Sequence, residues 1–255
     1  MRILLTNDDG VSADGINAAY LGLAAAGHDV IVCAPAEQRS GSSHAVTLRK
    51  TMTVKRAALL SGAEAHAVSG SPADACRLGL SLFNHPPIEL VISGVNNDTN
   101  LAYDINYSGT VGAALEAACA GYPALAVSVG NELPPDWEKV GEVTAAAVSA
   151  YPGWKIPREV VLNINIPPEI KVPGFKWVKP HEATPYDFLE TVRIDEDTLE
   201  CVRYRRKDDH LEPRETDVWH YTQGRVTVSP IVPVGVSPDT LQRLSGKDPG
   251  PPSGG

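Results

Sequence analysis

Ile3-Leu4-Leu5 is an apolar triplet that runs directly into Thr6-Asn7-Asp8-Asp9-Gly10. A run that stops this abruptly fits a strand buried on both faces, and Gly10 punctuates its end. Gly15 to Gly27 follows, with Ile16, Ala19, Tyr20, Leu23 and Ala24 at near-helical spacing and Gly27 suited to a helix C-terminus. Asp29 to Pro35, built around Val30-Ile31-Val32-Cys33, is a second buried strand. Strand, helix, strand at this spacing is a βαβ unit, so the sheet begins parallel. In open α/β sheets ligands bind beyond the carboxyl ends of the strands, which is where Asp8 and Asp9 fall.

Adjacent carboxylates repel unless a cation lies between them or water solvates both. Asp8 and Asp9 are the hard oxygen ligands that Mg²⁺ and Mn²⁺ prefer. The same residues also suit an ordinary Asn-Asp-Gly turn with solvated side chains. From this stretch alone both readings stay open.

Composition narrows the class. The 255 residues suffice for one large α/β domain with a small appendage, and 43% apolar content supports a sizeable core. No apolar run is long enough to span a bilayer, so no membrane association is expected. The chain enters its first strand at once, without a segment that resembles a signal peptide. Cys33, Cys76, Cys119 and Cys201 are scattered with no C-x-x-C spacing, which argues against a zinc site or a disulfide framework. Cys33 and Cys119 lie in apolar runs and read as small core residues. These features point to a reducing, cytoplasmic compartment. A formal charge of −9, with Arg203 to Lys207 as the one basic cluster, argues against a nucleic-acid polymer as partner. An acidic chain still accommodates one phosphorylated small molecule when a metal offsets the charge locally.

Polar clusters recur after apolar runs. Glu37 to His44 is a loop of small and polar residues after the second strand, expected at the same sheet edge as Asp8. Its hydroxyls suit a metal, an anion or plain solvation. His44 reads as an acid/base group or as a loop hydrogen bonder. Val46 to Val54 and Ala65 to Val68 look like strands. Ser69-Gly70-Ser71-Pro72 opens a helix through Phe83, with Ser71 as N-cap and Pro72 in the first turn; a Ser-Gly-Ser loop there also suits an anion.

Glu89 to Gly94 is the next strand, ending in Val95-Asn96-Asn97-Asp98. Ser108-Gly109-Thr110 then leads into an Ala-rich helix that ends near Gly121. That is a phosphate cradle in principle, although Ser and Thr also simply cap helices. Ala124 to Ser128 and Val160 to Pro167 are core strands, with a helix from Glu138 to Ala150 between them.

Beyond Pro168 the pieces Phe175 to Val178, Thr191 to Ile194, Leu199 to Arg206 and Arg225 to Val228 are strand-like. Val192 to Arg203 reads as a hairpin turning at Asp195 to Thr198. A long hairpin cannot bury both faces on its own core, so it reads as an arm for a second subunit. Residues 247–255 are rich in Pro, Gly and Ser and read as a disordered tail.

Taken together, ILLTNDDG with Asp14-Gly15, CAPAEQRSGSSHAVT, SGSPADA, ISGVN, DINYSGTVGAALEA, LNINIP, and TD followed by GRVTVSPI resemble the SurE family of nucleoside 5′-monophosphate phosphatases. These motifs extend in order from Met1 to about Pro233. The resemblance implies a Rossmann-like three-layer α/β/α fold with a mostly parallel sheet and a C-terminal β-hairpin arm. It implies a homodimer or homotetramer. The organisation expected is one domain over 1–246, with 1–170 as the Rossmann-like core and 171–246 as a β-rich oligomerisation portion.

The resemblance further implies one divalent ion per subunit, Mg²⁺ or Mn²⁺, on Asp8, Asp9, Ser40 and Asn96. Asp8, Asp9 and Asn96 would act in catalysis, and Gly41, Ser42, His44, Ser108, Gly109 and Thr110 would hold phosphate or substrate. Asp98, Ala102 and Tyr107 depart from the family pattern, Asp98 and Ala102 standing where glycine is usual. The implied activity is hydrolysis of nucleoside 5′-monophosphates to nucleoside and phosphate, extending to other phosphomonoesters or short polyphosphate. Either water activated by the ion or one of the two carboxylates attacks; carboxylates committed to a metal are weakened nucleophiles, which favours water. The rival is a non-catalytic nucleotide sensor on the same fold. Its dinucleotide form wants G-x-G-x-x-G after the first strand, and Gly10 and Gly15 do not make it.

Overall fold

The computed structural model describes residues 1–182, 187–195, 197–205 and 215–233. Strand β1 (Arg2–Thr6) buries Ile3, Leu4 and Leu5 completely. Ile3 and Leu5 join one core cluster and Leu4 joins another, because alternate strand residues face opposite sides of a sheet. The chain continues through α1 (Asp14–Ala25), β2 (Asp29–Pro35), β3 (Val54–Ala58), β4 (Glu64–Val68), α2 (Pro72–Phe83), β5 (Leu90–Asn96), a 3₁₀ turn (Ala102–Asn106), α3 (Gly109–Cys119), β6 (Ala124–Val129) and α4 (Trp137–Trp154). Then come β7 (Val161–Ile166), β8 (Val172–Trp177), β9 (Asp187–Arg193), β10 (Leu199–Arg205), α5 (Asp217–Thr222) and β11 (Arg225–Ile231).

One nine-stranded sheet has the order β3-β4-β2-β1-β5-β6-β7-β11-β8. The strands from β4 to β7 in that order pair parallel throughout. Numbered along the chain, these six give 3-2-1-4-5-6, the doubly wound order that places a ligand crevice between strands 1 and 4. Here that switch point lies between β1 and β5. Helices α1 and α4 cover one face over Ile16, Leu23, Val140 and Val148, and α2 and α3 cover the other over Cys76, Leu80, Ala113 and Ala117. The expected three-layer fold is therefore present.

Helices α1 and α4 approach through glycine. A Cβ on Gly22 would overlap the Gly141 carbonyl, so this crossing tolerates no side chain there. Helix α2 begins with a full capping box, Ser71 and Asp74 each bonding the other's backbone N–H, with Pro72 at its first position.

Several expectations are corrected. Residues 46–53 are not a strand; the strand starts at Val54 and pairs antiparallel with β4. Val46 and Leu48 alternate with polar residues, yet no element covers them and both are exposed. Cys119 is exposed at the last turn of α3 rather than buried, whereas Cys33 and Cys76 are core residues. Helix α4 runs on to Trp154 through Pro152. The hairpin β9–β10 forms as expected, Arg193 opposite Leu199, and makes a two-stranded sheet of its own. Residues 247–255 lie outside the described residues.

Candidate active site

Asn7 builds the turn at the end of β1. Its Nδ2 donates to the Gly10 carbonyl at 2.9 Å and its Oδ1 accepts the Gly10 N–H at 3.2 Å. Gly10 has a φ of +98°, which glycine adopts without strain. The Asn-Asp-Gly turn is thus real, but Asp8 is not solvated within it: the residue is 3% exposed.

Asp8 Oδ1 accepts a short hydrogen bond from the Thr110 hydroxyl, and the Arg39 N–H donates to the Asp8 carbonyl at 2.7 Å. Burial pushes the Asp8 carboxyl up to about 6; Thr110 opposes this and the neighbouring Asp9 charge adds to it. Asp9 is raised too, chiefly by burial, with the Asp98 charge contributing. Its oxygens accept from the Asn97 N–H at 3.1 Å and from Gln38 Nε2 at 3.3 Å. The same Gln38 nitrogen donates to Ser40 Oγ at 3.0 Å, which brings Ser40 to Asp9. Asn96 is the last residue of β5, and its Nδ2 donates to the Asp98 carbonyl at 2.7 Å. That fixes the amide and leaves Oδ1 as its acceptor end.

Helix α3 begins opposite Asp8. Ser108 is its N-cap and accepts the Val111 N–H at 3.1 Å, so the capping reading of Ser108 holds. Its hydroxyl proton remains available as a donor. A Cβ on Gly109 would lie 2.6 Å from Ser42 Oγ and 3.0 Å from Asp8 Oδ2. Ser42 Oγ is buried without a hydrogen-bond partner. Gly109, Ser42 and Asp8 therefore meet at one cradle that a side chain would fill.

His44 bonds α3 further along the helix. Its Nε2 donates to Glu116 Oε2 at 2.9 Å, and Glu116 lies seven positions after Gly109 on α3. The Ser69 to Ser71 loop binds its own chain rather than an outside anion: Asp74 fills the helix N-terminus and also accepts from Thr47 Oγ1 at 2.6 Å.

The donors brought together fit a hard divalent ion: a buried and a half-buried carboxylate, an amide oxygen and a hydroxyl, with no sulfur or imidazole. Among the described residues, no three His, Cys, Asp or Glu side chains cluster as a metal site, so only two of the four donors carry charge. Two adjacent ionised carboxylates in a buried setting favour a cation beside them.

Some supporting residues are missing from the sequence reading. Asn100 is 5% exposed and pins the loop after Asn96 to the sheet: its N–H donates to Asn165 Oδ1 at 2.8 Å, its Nδ2 to Ser128 Oγ at 2.7 Å, and its carbonyl accepts from Asn163 Nδ2 at 2.7 Å. Asp217 is fully buried and accepts the N–H groups of Ala102, His181 and Val218 at 2.9, 2.8 and 2.8 Å. Polar residues inside the strand runs, Asn163 and Asn165, were the only available signal for this network.

The strand order and the carboxylate-bearing crevice at its switch point define a Rossmann-like α/β protein with a candidate ligand site between β1 and β5. The chain belongs to the SurE family: the sequence model described as "Survival protein SurE" matches residues 3–186. The protein named 5′-nucleotidase SurE from Nitratidesulfovibrio vulgaris is 35% identical over 96% of this chain and 98% of its own length. The protein of the same name from Solidesulfovibrio magneticus is 44% identical, the match spanning 66% of this chain and 65% of that relative. The crystal structure of the SurE protein from Aquifex aeolicus superposes with a TM-score of 0.83 at 27% identity, covering 97% of this chain and all of that one.

Proposed function

We propose that this chain is a metal-dependent phosphatase that hydrolyses nucleoside 5′-monophosphates to nucleoside and inorganic phosphate, as the names of its relatives describe for them. The observation that carries the chemistry is the cradle at the start of α3, where Ser42 Oγ is buried and unpartnered beside Gly109 and Asp8. One divalent ion per subunit, Mg²⁺ or Mn²⁺, would be held by Asp8, Asp9, Ser40 and Asn96. When bound, it supplies Lewis-acid polarisation of the phosphoryl group and activation of water.

The chain's own residues do the rest. The first N–H groups of α3 and the hydroxyls of Ser42 and Ser108 donate to phosphoryl oxygens and take up charge as the ester breaks. Gly109 lets the phosphate approach the backbone. Thr110 orients Asp8, and Gln38 and the Asn97 N–H orient Asp9. Other phosphomonoesters and short polyphosphate fit the same contacts, which read the phosphate rather than the base.

A dinucleotide sensor on this strand order is disfavoured because Gly10 and Gly15 after β1 do not make the G-x-G-x-x-G turn that seats a pyrophosphate. AMP and p-nitrophenyl phosphate hydrolysis, measured with Mn²⁺, with Mg²⁺ and with excess EDTA, tests the proposal. Turnover that needs the ion supports it; AMP binding without turnover under any divalent ion would favour the sensor.

For assembly, we read residues 1–246 as one unit in which 1–170 carries the site and the portion from 171 serves a homodimer or homotetramer. The support is the hairpin β9–β10, which pairs only with itself among the described residues and exposes Val192, Ile194 and Leu199. Among the described residues, no helix is long and apolar enough to cross a membrane.

A further inference from the structure

The loop over 36–50 carries Ser40 and Ser42 to the site, yet none of its residues is buried. Its position depends on a few fixed points. The Arg39 N–H bonds the Asp8 carbonyl. Ser43 donates from N–H to the Tyr107 carbonyl at 3.0 Å and from Oγ to the Asn106 carbonyl at 2.7 Å. Thr47 bonds Asp74. Beside Ser43, in the middle of the loop, His44 adds a second side-chain anchor, on Glu116.

Glu116 is unusual for its surroundings. It is a carboxylate only 9% exposed, on a helix whose neighbouring buried positions are Ala113, Ala114 and Ala117. A buried charge is costly unless paired and hydrogen-bonded. Glu116 meets that condition with partners from two other parts of the fold: Arg77 Nε on α2 donates to Oε1 at 2.6 Å, and His44 Nε2 donates to Oε2 at 2.9 Å. One turn earlier on the same helix, the Ser43 carbonyl and the His44 Cα press on Gly112, where a Cβ would lie 2.9 Å from that Cα. A further turn back is Gly109, with Ser42 and Asp8. The loop therefore lies along α3, with the site at the helix start and the His44 clamp two turns along it.

We propose that Glu116, held by Arg77, is a positioning residue that acts through His44 to hold the Ser40–Ser42 segment in register with the start of α3, so that His44 anchors the loop instead of contacting substrate. The inference rests on the phosphatase reading of the same site. Partners that orient ligating residues are typically worth about 10–100-fold in metal affinity or activity. The effect here falls on assembly of the phosphate and metal contacts, so it appears in KM and in the metal requirement.

The test uses the full-length protein with Glu116→Ala, Glu116→Gln, His44→Ala and Ser42→Ala, each assayed for KM and kcat with AMP, and for Mn²⁺ and inorganic phosphate binding by calorimetry. Glu116→Ala should raise KM and the Mn²⁺ dissociation constant by about 10-fold or more with a smaller change in kcat. Glu116→Gln, which keeps one acceptor oxygen for the two donors His44 and Arg77, should recover part of that loss. Combined with Ser42→Ala, Glu116→Ala should add less to the KM defect than it causes alone, since part of its effect passes through Ser42. Unchanged KM and Mn²⁺ binding in a folded Glu116→Ala protein, or full additivity with Ser42→Ala, would overturn the proposal. If Glu116→Ala does not fold, His44→Ala, which leaves α3 intact, decides by the same criteria. If the wild-type protein hydrolyses no phosphomonoester, the phosphatase reading fails separately, and the calorimetric comparison still decides the clamp.

Discussion

Asp9 Oδ2 accepts the backbone N–H of Asn97 at 3.1 Å, joining the ends of β1 and β5 across 88 positions of sequence. The bond bridges the two strand ends at the point where the winding of the sheet reverses. It also brings Asn96 to the two carboxylates without any direct bond between the proposed ligands.

Asp8→Asn and Asp9→Asn each remove a charged oxygen donor while keeping the side-chain shape. Turnover of AMP should fall by about 100-fold or more, at the upper end of what even indirect ligand partners contribute. Asp8→Asn also removes a buried charge disfavoured by burial and by Asp9, so the thermal midpoint of the metal-free protein should hold or rise. Full activity in either variant, or in excess EDTA, contradicts the metal mechanism.

Ala102 has a φ of +50°, in the left-handed region, where a Cβ is unfavourable. Its N–H is held by Asp217 Oδ2 at 2.9 Å, which keeps it there. Ala102→Gly should relieve the strain and stabilise the fold by about 0.5–1 kcal/mol after the added flexibility of the unfolded chain is subtracted. The urea midpoint measures it; a lower midpoint contradicts the strain assignment.

Asp98 stands two residues after Asn96, and its charge contributes to raising Asp9. Its Oδ1 also accepts the Thr99 N–H at 2.7 Å, so it caps its own turn while remaining a local anion. Charges closer than the screening length, about 8 Å at physiological salt, act on one another largely unscreened. Asp98→Asn should lower the preference for AMP over tripolyphosphate, and the difference should shrink in high salt. An unchanged ratio removes charge at this position from substrate selection.

Asp74 lends the fold a pH dependence of known sign. Burial pulls its carboxyl up, but hydrogen bonds from Thr47 and Ser71 outweigh this and hold it below the ordinary 3.8. The stabilisation is therefore complete above that ordinary value and is lost as pH falls through the lower folded value. Asp74→Asn should lower stability at neutral pH and flatten the acid limb of a stability profile. A wild-type acid limb of the same slope as the variant's counts against the assignment.

Deleting residues 191–206, most of the hairpin, should reduce the particle mass in sedimentation, because Val192, Ile194 and Leu199 are exposed apolar side chains on that arm. An unchanged mass places the subunit contact elsewhere.

The sequence by itself determined the parallel core. The runs Ile3 to Leu5, Val30 to Cys33, Leu90 to Ile92 and Val161 to Leu162 are apolar on both alternate sets of positions, and only a sheet covered on both faces satisfies that. It also determined the start of α2, since Ser71, Pro72 and Asp74 act within one turn. The polar clusters at strand ends were legible for the same local reason.

Tertiary structure alone decided what depends on distant partners. Val46 and Leu48 carry a strand pattern, but no neighbouring strand lies beside them. The six-residue α5 is too short for a helical period, and Asp217 at its start acts on Ala102, 115 positions away. Asn100, Asn163 and Asn165 look like interruptions of apolar runs until the fold pairs them. His44 was ambiguous between substrate and loop because an imidazole serves either; which it meets depends on where α3 carries Glu116. Hydrophobic period and capping are written within a few residues, whereas the partner of a buried polar group is set by the crossing of separate elements.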